Sequence, residues 1–168
     1  CRLHRPVRRA TPYGRAAGRR FIAIAQMPPI TQGPGAAAVV ERNCDVAVIG
    51  GGPAGSTAAA LLAERGYRVA LFEKARHPRF HIGESLLPAN VRLFEALGVR
   101  EQVHAIGMPK WGVEFVSPQH QHTAFVEFSQ AWDKSMPMAW QVRRSELDEL
   151  LFRHARDQGA ATVEGCHV

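Results

Sequence analysis

Three glycines and one acid carry the first chemistry legible in this chain. Gly50, Gly52 and Gly55 fill G-x-G-x-x-G inside GGGPAG, directly after the apolar β-branched run 45–49. Glu73 closes a second apolar run about twenty positions after Gly52, the spacing of a dinucleotide-binding βαβ unit. Gly50 permits a turn that a side chain would obstruct, and Gly52 lets main-chain N–H groups come up against a pyrophosphate. Gly55 lets the following helix, opened by Pro53 and Ala54, lie close on the strand. The unpaired N–H groups and partial positive charge of that helix start suit a phosphate dianion, while Glu73 can accept hydrogen bonds from adenosine ribose hydroxyls. Glu instead of Asp, followed by Lys74, is compatible with FAD or NAD and argues against a 2′-phosphate. An empty structural βαβ unit is the plain alternative. Strand, turn, helix and acid all agree, which favours the dinucleotide.

Further candidates follow the acid. The loop 74–88, KARHPRFHIGESLLP, is polar, holds two prolines and shows no strand pattern. It includes Gly83, Glu84 and Ser85, and Glu84 can also act as an N-terminal charge for the helix after it. Lys110 opens an alternating run, and Arg144 lies at the start of a late helix. The plain readings are a solvated lysine at a strand end, and a helix start capped by Ser145 and closed by Asp148 with both neighbouring arginines in water. His120 and His122 lack a third ligand at metal spacing and read as a solvated turn, so no metal site is assigned. His77 and His81 flank the loop after Glu73 and read as surface residues. Trp111, Trp132 and Trp140 with Phe115, Phe125 and Phe128 read as core packing instead of an aromatic cavity.

These residues need particular elements to hold them. The spacing predicts strand, helix and strand over 45–73, then a helix from Pro88 with Val91, Phe94 and Leu97 on one face and Gly98 as its stop. A short helix over about 100–106 follows, ending before Gly107 and Pro109. From Lys110 the period changes: 110–117 and 123–128 alternate around the turn SPQHQH and predict an antiparallel hairpin. A strand over 138–142, a helix from Ser145 to about Gln158 with Leu147, Leu150, Leu151 and His154 inward, and a strand from Ala161 complete the series. The expected fold is α/β: a Rossmann-like domain of glutathione-reductase type over 44–168, with the start of an antiparallel substrate sheet.

Composition narrows the function classes. The chain has 168 residues, 46% hydrophobic and 21% charged, enough for one domain with a real core. Its formal charge of +6 comes from seven arginines ahead of Glu41, and without them the sum falls to −1, so a folded nucleic-acid surface is not expected. Residues 1–43, basic and rich in Pro and Gly, are expected to be disordered. The chain opens on Cys1, and Met27, ahead of a Pro-Gly linker, is expected to be the natural initiator. Three cysteines, Cys1, Cys44 and Cys166, fit neither a disulfide framework nor a C-x-x-C site and read as free thiols of a cytoplasmic protein. The uncharged window 46–63 is broken by four glycines and a proline, which argues against a membrane span.

GGGPAG, then Gly83-Glu84-Ser85 with Pro88, then KWGVEF from Lys110 together resemble the flavin-dependent halogenases, the family that includes the tryptophan halogenases. The resemblance covers about 45–168. GGGPAG is shared by every glutathione-reductase-like flavoprotein, whereas GES-x-x-P after the second strand is much narrower. QVRRSELDELL, 141–151, is similar to the family's Q-V-x-R-x-x-F-D segment, with Leu147 in place of the aromatic.

The resemblance implies FAD as cofactor, reduced by a separate flavin reductase, with O2 and chloride or bromide as co-substrates. It implies that Gly83, Glu84, Ser85 and Arg144 lie by the flavin, and that Lys110 receives hypohalous acid formed at a flavin hydroperoxide and passes the halogen to an electron-rich aromatic carbon. A flexible amine can donate to oxygen or, when neutral, attack halogen, which arginine does poorly. The aromatic substrate is free or tethered to a carrier protein. The family's W-x-W-x-I-P stretch, its second flavin motif and a further catalytic carboxylate lie later in family members and are not found here. The chain as given is therefore not expected to turn over alone. A flavin hydroxylase, a geranylgeranyl-reductase-like flavoprotein and a noncatalytic FAD-binding piece are the alternatives.

Overall fold

A computed structural model describes residues 43–168. The tail expected over 1–43 lies, but for Asn43, outside the described residues. Strand β1 (Val46–Ile49), helix α1 (Pro53–Glu64) and strand β2 (Val69–Glu73) form the expected βαβ unit, with β1 and β2 parallel from Val46 opposite Val69 to Ile49 opposite Phe72. Pro53 sits in the first turn of α1, where its missing N–H leaves no bond unmade. The last strand, β7 (Ala161–Glu164), lies parallel on the other side of β2, with Ala70 opposite Ala161, so the sheet order is β1-β2-β7.

The GES segment, Lys110 and Arg144 lie between β2 and β7, whereas the glycine turn joins β1 to α1 and Glu73 ends β2. Helices α2 (Ala89–Ala96) and α3 (Arg100–Ile106) fall where they are expected, with Val91, Phe94 and Leu97 buried along the face that the apolar spacing marks and Val103 buried in α3. Helix α4 (Arg144–Asp157) packs along α1. Ala59 and Ala60 of α1 and Ala155 of α4 are buried with Leu147 and Leu151, and alanines at such a contact let two helix axes come close.

Three expectations change. First, α4 begins at Arg144 with Arg143 as N-cap, and no side chain caps it. Ser145 lies within the helix, and Asp148 pairs with Arg144 one turn back instead of closing a capping box.

Second, the single strand expected over 110–117 is two. Strand β3 (Gly107–Lys110) pairs antiparallel with β6 (Ala139–Val142), and β4 (Gly112–Ser117) pairs with β5 (His122–Glu127) in a separate ladder. Lys110 therefore ends β3 and does not open the hairpin strand. Gly107 and Pro109 look like breakers, yet Pro109 is tolerated opposite Trp140 because β3 is an edge strand, where a missing donor can face away from the ladder.

Third, core packing accounts for Trp140 and Phe128, which are buried, but not for Trp111, Trp132, Phe115 and Phe125, which are exposed. Among the described residues no helix is long and apolar enough to cross a membrane.

Candidate functional site

The glycine turn is built by contact as much as by conformation. Gly50 has φ +105, and a Cβ on Gly55 would lie 1.9 Å from the Gly50 carbonyl oxygen, so α1 can approach the end of β1 only without that atom. A Cβ on Gly51 would meet the Phe152 ring of α4 at 2.7 Å and Cβ of Glu73 at 2.9 Å. That constraint comes from α4, about a hundred residues on, and no local pattern announces it. On Gly52 the same atom would be 3.6 Å from Arg79 Nη2 and clear of backbone, which leaves this side of the turn accessible next to a guanidinium.

Glu73 is 4% exposed and latches the end of β2 to the turn. Gly51 N–H donates to its Oε2 at 2.7 Å and Ala75 N–H to its Oε1 at 3.0 Å. A carboxylate has about four lone-pair sites, so acceptor capacity for a ribose hydroxyl remains. Burial pushes this carboxyl up, but the Ala75 and Gly51 N–H groups, with the Arg79 guanidinium, outweigh it and hold Glu73 below the ordinary carboxylate range. Glu73 therefore stabilises the fold fully above its unfolded-state value of about 4.3, and loses that contribution as pH falls through the lower folded-state value. In urea denaturation followed against pH, Glu73→Gln is expected to flatten the acid limb of stability, and an acid limb as steep as the parent's would rule this out.

From Glu73 a chain of charges runs across the domain. Arg79 Nη2 lies 3.4 Å from Glu73 Oε2, and its Nη1 lies 3.4 Å from Asp148 Oδ2. Asp148, 0% exposed, accepts from Arg144 Nε at 2.9 Å and from Nη2 at 3.2 Å. Arg144 then donates from Nη1 to the Ile82 carbonyl at 2.8 Å and, more weakly, to that of Gly83 at 3.5 Å. Arg144 is thus not in water, whereas Arg143 is. Arg79 Nε is buried without a hydrogen-bond partner.

The sequence reading missed Arg79. A signal existed in Asp148, which sits between Leu147 and Leu151 on the inner face of α4, where a carboxylate demands a cation.

The GES segment joins the other ladder. Leu86 N–H donates to the Trp140 carbonyl at 3.0 Å and Val142 N–H to the Glu84 carbonyl at 2.9 Å, which bridges Ser85 to Gln141 on the side of β6 away from β3. Lys110 Nζ donates to Ser85 Oγ and stands 5.5 Å from the centroid of the Phe128 ring. Glu84 contributes its backbone here, and its side chain makes no hydrogen bond among the described residues. Lys74 is exposed and apart from this cluster, while Pro53 and Ala54 are in the first turn of α1.

His77 is a correction. Its side chain is 2% exposed, with Nδ1 2.7 Å from Glu164 Oε1 and the ring 4.7 Å from that of Phe152, because β7 and α4 both close over it. His81 is exposed, and His120 Nδ1 lies 2.9 Å from Ser117 Oγ in the hairpin turn. Cys44 and Cys166 are free thiols. Among the described residues no three His, Cys, Asp or Glu side chains group as metal ligands.

The FAD binding domain family matches this chain over residues 43–167. A flavin-dependent halogenase of Armillaria mellea, armH3, is 41% identical over 132 residues, which are 78% of this chain and 26% of that protein. The structure of the myxobacterial chondrochloren halogenase CndH superposes with a TM-score of 0.67 at 37% identity, over 73% of this chain and 28% of that one. A flavoprotein/dehydrogenase of Cytophaga hutchinsonii superposes with a TM-score of 0.66, also at 37% identity, over 72% of this chain and 30% of its own. The chain thus spans about a quarter of the length of the curated relatives it matches.

Proposed function

Because the chain belongs to the FAD binding domain family, we propose that it forms the flavin-cradling portion of an FAD-dependent halogenase acting on an electron-rich aromatic compound. The observation that carries this reading is the meeting of Lys110 with Ser85 of the GES segment on one face of β6. A structural flavoprotein has no need of an amine there. The similarity to the halogenases supports it.

The residues fit the cofactor. The open side of Gly52 and the start of α1 present main-chain donors to a pyrophosphate. Arg79 sets a buried guanidinium beside that turn with its Nε–H unspent, the kind of donor a phosphate or ribose oxygen satisfies. Glu73 offers its remaining acceptor site to a ribose hydroxyl. Arg144 holds the Ile82 and Gly83 carbonyls and so shapes the loop on which Glu84 and Ser85 stand.

When bound, FAD reduced by a flavin reductase would supply, with O2 and a halide, the oxidised halogen. Lys110 would hydrogen-bond that species and direct it toward the aromatic substrate. Turnover is a property of the whole protein, of which this chain supplies part of the cofactor site.

The test is to supply the full-length protein with FAD, a flavin reductase, NADH, air and bromide or chloride, and to screen small aromatics by mass spectrometry. A halide-dependent product with the halogen isotope pattern is expected. Oxygen insertion without halogen would place the protein with the flavin hydroxylases, and flavin retention without any product would make it a binding module.

A further inference from the structure

We propose that Ser85 is a positioning residue for the Lys110 amine and not a ligand of the cofactor, an inference that rests on the halogenase reading above. Lys110 and Ser85 approach β6 from opposite sides, Lys110 opposite Ala139 and Ser85 opposite Gln141. Residues directly opposite in a ladder share a face, and so do residues two apart along a strand. Lys110, Ala139, Gln141 and Ser85 therefore all project to one side. The two outer backbones are roughly 10 Å apart, two strand spacings, and the lysine stem crosses that gap over Ala139, whose methyl group leaves the path clear.

The ladder cannot present its other face. Trp140 and Val142, the alternate residues of β6, are buried in the core, and a one-residue slip would bring them out. Ser85 is pinned on both sides in sequence, by Val142 N–H on the Glu84 carbonyl and by Leu86 N–H on the Trp140 carbonyl. The Phe128 ring below the ammonium is itself buried and tied by its N–H to the Trp111 carbonyl at 2.8 Å.

A lysine ammonium has three N–H donors. Ser85 takes one and the ring face attracts the charge, which leaves the other donors for a ligand on the face of the ladder where Met108 and Gln141 are exposed. A free lysine would spread its amine over many rotamers. Anchored at the hydroxyl, it presents donors at one place, the condition for catching a short-lived oxidant before it escapes.

The experiment compares Ser85→Ala, Ser85→Thr and Lys110→Ala in the full-length protein by three readouts. The first is halogenated product per flavin oxidised, which is expected to fall about tenfold or more in Ser85→Ala and to be largely restored in Ser85→Thr, which keeps the hydroxyl. The second is FAD affinity by fluorescence quenching, expected to be unchanged in Ser85→Ala. The third needs no turnover: trace acetylation read by mass spectrometry, with Lys74 and Lys134 as internal references. Acetylation of Lys110 is expected to rise about threefold or more in Ser85→Ala and not in Ser85→Thr.

Unchanged coupling and unchanged labelling in Ser85→Ala would overturn the proposal, as would an FAD affinity that falls in step with coupling. A Lys110→Ala protein that still halogenates would overturn the halogenase reading itself. A dead Lys110→Ala beside an unaffected Ser85→Ala would remove only the serine's role.

Discussion

Replacing Lys110 with alanine is expected to suppress halogen transfer by roughly 10²–10⁴-fold, the range for losing a positioned proton donor or acceptor, while flavin oxidation and peroxide release continue at the parental rate. The separation follows from where the side chain sits. Lys110 ends an edge strand in the antiparallel ladder, whereas the glycine turn, Glu73 and Arg79 belong to the parallel sheet and its loop. Removing the amine thus leaves the glycine turn and its buried ion pairs intact. Arginine is not expected to rescue, because its planar, always charged group cannot act as a neutral nucleophile. NADH consumption, peroxide and halogenated product measured in one reaction decide the matter. Loss of flavin oxidation together with halogenation would mean that the residue serves cofactor reduction or binding instead.

Asp148→Ala is expected to destabilise the fold by about 3–5 kcal/mol, the cost of stripping a buried charge of its partner. Asp148 is fully buried and answers two guanidinium groups, Arg79 and Arg144, that are themselves only 13% and 15% exposed. Without it, two cations remain in the interior against one carboxylate, Glu73. Against a typical total of about 5–15 kcal/mol, such a loss is a large fraction. Asp148→Asn, which keeps the shape and one acceptor, should lose less and separates shape from charge. Urea denaturation of the three proteins provides the measurement, and a loss below about 1 kcal/mol for the alanine variant would show that solvent reaches the arginines.

The βαβ unit could be read from the sequence because its signals are local: a run of β-branched residues, glycines three apart, an acid at the end of the next strand. Helix α2 was legible for the same reason, since Val91, Phe94 and Leu97 state its buried face, and α3 was bounded by Gly98 before it and by Gly107 and Pro109 after it. The contacts that assemble the site were not local. Nothing near Gly51 announces Phe152, and nothing near Arg79 announces Asp148, because both partners arrive on α4. Strand β3 escaped notice because proline and glycine usually end strands, and here an edge position permits them. The hidden His77 needed β7, whose Glu164 reaches it only once the sheet is complete.

The placement of β7 beside β2 also governs the order in which the molecule can assemble. All of residues 74–160 must be synthesised before the third parallel strand exists, so closing this sheet means closing a very long loop, the slow kind of contact in folding. Until then Glu164 is absent from His77, and the Cys166 N–H has not reached the Glu73 carbonyl. The glycine turn is therefore encoded early on the ribosome but braced late, and a nascent chain paused before β7 would carry that loop without its final support.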